Sequence, residues 1–132
     1  MQSTIDFSEM TIFPSVDNSE QLVATYFIDH NRAPSDLKVE VFKSLKKGLF
    51  MGKCNYAFWG PSQFGPYRNV NLYPTIDLAF HSATSGYRLN DSPNHPNDLI
   101  FWESEIGTYF DGNGIQVTYN EIQERRKNSK HE

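Results

Sequence analysis

Only one cysteine, Cys54, occurs in 132 residues, so no internal disulfide can staple the fold. The opening stretch, MQSTIDFSEM, holds neither a basic segment nor an apolar one, and no secretory signal is read there. Together these features predict a cytoplasmic protein, in a compartment where thiols stay reduced. No apolar run approaches the ~20 residues that a spanning helix needs, so no membrane partner is expected. A basic surplus is missing too: 12 Lys and Arg stand against 16 Asp and Glu, for a net charge of −4. Nucleic-acid binders neutralise phosphates with Lys and Arg, so this balance speaks against a nucleic-acid partner.

Signature motifs are equally scarce. The chain has no phosphate-binding glycine loop, nucleophile elbow, HExxH or CxxC. Asp111-Gly112-Asn113-Gly114 begins like a calcium loop, but Ile115, Val117 and Tyr119 occupy the positions where acidic ligands should follow. No metal and no cofactor is therefore expected. What remains for chemistry is a scatter in which Cys54, His81 and His95 are weak catalytic candidates. A thiol becomes a nucleophile only beside an imidazole that takes its proton, with a carboxylate orienting that ring. Asp77 and His81 stand four residues apart, a spacing that also suits an ordinary solvated pair on a helix. For Cys54 the bland alternative is a small buried apolar residue. For His95 and Asp98 it is a polar connector, LNDSPNHPND, and the connector is the favoured interpretation.

What the chain does have is enough apolar material for one core. At 38% hydrophobic residues, with ten Phe, it predicts a single α+β domain spanning 1–132, in which roughly two-thirds of the unfolded surface can be buried. Residues 1–20 suggest an edge strand or an extended arm, ended by Pro14. LVATYFI, from Leu22 to Ile28, is β-branched and aromatic and predicts a buried strand. Leu37, Val39 and Val41 alternate as in a strand, yet Leu37, Val41 and Leu45 also recur at helical spacing. Ser35 as a cap, Asp36 in a first turn, Lys46 and Lys47 in a last turn and Gly48 beyond it favour a helix over 36–47.

A second helix is predicted from Ile76 to Ser85, capped by Thr75, ended by Gly86, with Ile76, Ala79, Phe80 and Ala83 as its apolar stripe. Leu99–Trp102 then predicts another strand. Thr108–Phe110 and Ile115–Val117 flank the Asp-Gly-Asn-Gly turn as a hairpin. Thr118-Tyr119-Asn120-Glu121 is a capping box with Val117 and Ile122 as its hydrophobic staple, and it opens a surface helix supported by a Glu121–Arg125 pair. The sum is a mixed, mostly antiparallel sheet of about five strands, two or three packed helices, and a C-terminal hairpin followed by a surface helix.

The densest signal lies in CNYAFWGPSQFGPYRN. From Phe50 to Tyr73 there are seven aromatic residues and two charged ones, Lys53 and Arg68, against 14% and 21% for the whole chain. Gly60-Pro61 and Gly65-Pro66 are turn signals, and the stretch to Thr75 has no periodicity. A loop of that length is either packed upon itself or used for recognition. Tyr56, Trp59, Tyr67 and Arg68 carry the functional alternative, because Trp, Tyr and Arg combine large contact area with a polar handle. Two functions follow as expectations. The first is a small interaction or regulatory module that binds a protein partner, or a second copy of itself, through this aromatic loop. The second is a small-molecule-binding protein or small enzyme with a Cys/His site beside the same rings.

Overall fold

The computed structural model describes residues 19–129, so most of the proposed N-terminal arm lies outside the described residues. Two antiparallel sheets and two helices make up an α+β fold. The first sheet has the order β1-β2-β3, with β1 at Glu20–Ile28, β2 at Leu37–Ser44 and β3 at Phe50–Cys54. The second has the order β4-β5-β6-β7: Tyr56–Trp59, Phe101–Ser104, Tyr109–Asp111 and Gln116–Val117. Helix α1 runs from Ile76 to Asn90 and α2 from Tyr119 to Ser129. Every strand pair described is antiparallel, so two separate sheets replace the single mixed sheet expected.

The largest correction falls on residues 36–47, which form strand β2 and not a helix. Leu37, Val39 and Val41 are fully buried in strict alternation, and β2 is paired on both sides, with β1 and β3. Non-local pairing along both edges outweighs a set of capping signals worth a few tenths of a kcal/mol to about 1 kcal/mol each. The same signals serve a turn instead: Gly48, at φ +69, sits between β2 and β3, and its N–H reaches the Ser44 carbonyl at 2.7 Å. β1 also departs from expectation. It is a strand, but an edge strand whose residues are exposed or half-buried, where LVATYFI suggested burial.

Helix α1 starts where the sequence places it, with the Thr75 hydroxyl accepting from the Leu78 N–H at 3.1 Å. It does not stop at Gly86. The helix continues to Asn90, and the missing side chain at Gly86 instead makes room for the ring of Tyr67, whose atoms lie 3.0–3.3 Å from where a Cβ would stand. α1 packs over β3 and β2 at another small residue, Gly52, where an added Cβ would come within 2.8 Å of the Ala83 methyl group.

Asn55 turns the chain from one sheet to the other. Its N–H donates to the Lys38 carbonyl, its side-chain oxygen accepts from the Lys38 N–H, and its amide nitrogen donates to the Asp36 carbonyl. The second sheet is then buried on both faces. Phe58, Ile100 and Trp102 join Leu37 in one cluster. Trp59, Phe101 and Val117 form another with Ile122 of α2. The C-terminal unit follows its local signals closely. Asp111 accepts from the N–H groups of Asn113 and Ile115, Gly114 adopts φ +77, and β6 pairs with β7. The capping box forms in full, with Thr118 Oγ1 accepting from the Glu121 N–H and Glu121 Oε1 from the Thr118 N–H, each at 3.1 Å. Arg125 pairs with Asp111 and the Asp98 carbonyl, where a Glu121 contact was expected.

Candidate functional site

The residues singled out in the aromatic segment divide between core and surface. Trp59, expected to offer its ring outward, is only 2% exposed and is a core residue. Two consecutive residues of β4 explain this, because Phe58 faces one cluster and Trp59 the other, and both faces of that sheet are covered. The indole N–H donates to the Gln63 carbonyl at 3.1 Å, and the Arg126 guanidinium lies 5.1 Å from the ring centre. Arg126 also donates to the carbonyls of Gly60 and Gln63, and Gln63 folds back on Phe58 and Gly60, so the turn after β4 is tied down from several sides. Trp59 therefore secures this turn from within.

Tyr56, Tyr67 and Arg68 do come together. They line a cleft of about 210 Å³ with Met51, Gly52, Cys54 and Glu105. The geometry grows from the free edge of β3. The Phe50 N–H and C=O both bond to Tyr73 at 2.7 Å, away from β2. Successive strand residues alternate direction, so Gly52 and Cys54 turn their backbone groups to that same side. Asn69 reaches the Gly52 carbonyl only at 3.5 Å. Opposite this edge runs the segment Tyr67–Val70, held by the Tyr67 N–H on the Phe58 carbonyl at 3.1 Å. Gly86 lets the Tyr67 ring lie against α1, and Ala83 supplies another part of the lining.

Arg68 is fixed by three bonds, to the Glu103 carboxylate at 3.1 Å and to the carbonyls of Glu103 and Ser104 at 2.8 and 2.9 Å. Its charge thus sits at a defined place in the cleft. Tyr56 packs edge-on against Phe110 and its hydroxyl accepts from Ser35 at 3.4 Å.

The catalytic candidates stay apart in their contacts. Cys54 lies in the cleft, half-buried, and its burial pushes the thiol pKa up, although the Tyr56 backbone N–H and the Arg68 charge act the other way. His81 is exposed on α1 and its ring lies against Phe80. Asp77 makes no ion pair with it among the described residues. His95 sits in the connector after α1, where its carbonyl accepts from Arg32 at 2.8 Å. No group of three or more His, Cys, Asp or Glu poised for a metal occurs among the described residues.

One cluster escaped sequence reasoning. Arg32 donates to the Asp91 carboxylate at 2.8 Å and to the carbonyls of Ser92 and His95, pinning the polar connector to the turn after β1. His30 completes it, with Nε2 3.4 Å from Asp91 and its Nδ1 accepting from the Arg32 N–H at 3.1 Å. The His30 ring meets Tyr87 and Trp102 edge-on. Burial lowers the imidazole pKa, outweighing the attraction of Asp91. Residues some sixty positions apart form this cluster, and no local spacing signals it.

Compared with protein-family models, curated proteins and solved structures, the chain matches none. No helix among the described residues is long and apolar enough to cross a membrane.

Proposed function

We propose that this chain is a small cytosolic interaction module that grips an extended segment of a protein partner in the cleft between β3 and residues 67–70. One observation carries the proposal: three of the four recognition candidates line the same cleft, beside strand backbone whose hydrogen-bonding groups face outward. An extended segment laid along Gly52–Cys54 adds a short strand to the first sheet, with main-chain bonds supplying affinity. Tyr56 and Tyr67 give it apolar walls with polar tips, and Arg68 a fixed positive charge. The pre-set position of Arg68 lowers the ordering cost of binding.

The small-molecule or enzyme alternative uses the same cleft but draws less support. A thiol raised by burial is a poorer nucleophile at neutral pH, and neither His81 nor His95 lines the cleft beside Cys54.

Selection of random displayed peptides against the full chain tests the proposal. Selected peptides should slow amide exchange at Gly52 and Cys54, and Tyr67→Ala or Arg68→Ala should weaken them about tenfold. Peptides that bind without protecting those amides, or that ignore both substitutions, place the function elsewhere.

A further inference from the structure

The outer edge of β1 poses a different problem from the cleft. From Gln21 to Ile28 the strand carries no charge, no proline and no glycine. Natural edge strands are guarded by lysine, proline or bulges, because an open edge is a template for pairing. Among the described residues its guards are the charge of Glu20 at its start and the irregularity between Leu22 and Ala24, which leave the run Ala24–Ile28 in regular register with β2.

The backbone direction along this run follows from its neighbours. Met51 faces β2 because Phe50 faces Tyr73, and Phe42 pairs with Met51, so Phe42 turns toward β3 and Val41 toward β1. Val41 is opposite Ala24 and Val39 opposite Tyr26, which turns Ala24, Tyr26 and Ile28 inward to β2. Thr25 and Phe27 therefore hold their N–H and C=O groups outward, and no described residue bonds to them. Phe27 is 70% exposed, and Leu22 and Tyr26 are exposed as well. α1 packs mainly over β3 and β2 and touches β1 through Phe80, whose ring lies 4.6 Å from that of Tyr26, while the outward backbone groups of Thr25 and Phe27 stay unbonded by any described residue.

We propose that this edge is a homodimerisation surface, on which β1 pairs antiparallel with β1 of a second copy about a two-fold axis at Tyr26. The sequence is self-complementary in that register. Thr25 meets Phe27 of the second copy and Phe27 meets its Thr25, each exchanging a pair of main-chain hydrogen bonds. Both contacts join an aromatic to a β-branched residue, a favourable cross-strand combination. Ala24 meets Ile28, and Tyr26 meets its own copy at the axis. With no charge in the paired run, no like charges oppose one another. A two-fold operation closes after two chains, so the joined sheets reach six strands and stop.

Sedimentation velocity on the full chain, across micromolar to millimolar concentration, tests this directly. The expected result is a reversible shift from monomer toward dimer. Phe27→Lys should abolish it, and so should Thr25→Pro, which removes an outward N–H that β2 does not use. The circular dichroism of both variants should remain that of the parent. The register has its own test: the axis brings the two Tyr26 Cα atoms to a non-bonded pair separation of about 4.5 Å, within disulfide range. Oxidised Tyr26→Cys should form a covalent dimer, while Thr25→Cys should not. A chain that stays monomeric throughout, with Thr25 and Phe27 amides protected from exchange, would overturn the proposal by showing the edge covered from within. A dimer that survives both edge substitutions would overturn it equally.

Discussion

Arg125 donates to the buried carboxylate of Asp111 at 2.9 Å and so ties the last helix to the hairpin before it. The same carboxylate holds the turn of that hairpin through the N–H groups of Asn113 and Ile115. One side chain thus serves a turn and an inter-element contact. Asp111→Ala strands two turn amides and the guanidinium, and should cost about 3 kcal/mol. Arg125→Met leaves the turn bonds in place and, with Arg125 partly in solvent, should cost about 1 to 2 kcal/mol. Urea unfolding of the two variants checks the order. Equal losses would mean that the turn amides contribute nothing of their own.

His30 makes stability depend on pH. Burial among Tyr87 and Trp102 lowers its pKa below 6.5, with Arg32 acting in the same direction and Asp91 and Asp29 opposing. The folded state thus binds the proton less readily than the unfolded chain. Its contribution is complete above about pH 6.5 and is lost as pH falls through the lowered value. Protonation also removes the Nδ1 lone pair that accepts from Arg32. Unfolding free energies measured from pH 7.5 down to about 5 should fall more steeply for the parent chain than for His30→Gln, which cannot titrate. Parallel slopes would remove His30 as the source.

The contrast between what was legible and what was not follows sequence distance. The Thr118–Glu121 box, the Thr75 cap and the Asp111 turn are each closed within four residues, and each appears in the structure as the residue types require. In strand β2 the alternation is real and the capping signals are coincidental, and pairing with β1 and β3 decides between them. Gly86 looked like a helix end, yet its purpose is set by Tyr67, nineteen residues earlier in the chain. At the candidate site, composition alone singles out Tyr56, Tyr67 and Arg68, which line one cleft. Trp59 was misplaced because nothing local reveals that both faces of β4 are covered.

Two glycines, Gly52 in the lining of the cleft and Gly86 behind the Tyr67 side chain, should respond differently to the same substitution. At Gly52 a methyl group would run into the Ala79 carbonyl and the Ala83 side chain, and helix backbone cannot step aside cheaply. Gly52→Ala should therefore destabilise by about 2 to 3 kcal/mol. At Gly86 the obstacles are the Cβ and ring of Tyr67 at 3.0–3.3 Å, a side chain on an irregular segment that needs to give by only a few tenths of an ångström. Gly86→Ala should change stability by less than about 1 kcal/mol, since a helix interior also favours alanine. It should instead alter the intrinsic fluorescence of the Tyr67 region and the affinity of any cleft-bound peptide. Thermal unfolding beside peptide titration separates the two effects.

Cys54 distinguishes a binding cleft from a catalytic one. Its thiol sits beside the core, burial raises its pKa against the opposing backbone N–H of Tyr56, and the Asn55 side-chain oxygen lies 3.8 Å from the sulfur. The thiolate is the reactive species, so alkylation near pH 8 should run more slowly than for a free model thiol. Cys54→Ser should in turn leave peptide binding within about threefold of the parent, because the proposed contacts come from backbone groups and from Tyr56, Tyr67 and Arg68. A bound peptide should slow the alkylation further by covering the same edge of β3. Alkylation faster than the model thiol would instead reveal an activated sulfur, and with it a reason to prefer the enzymatic alternative over the binding one.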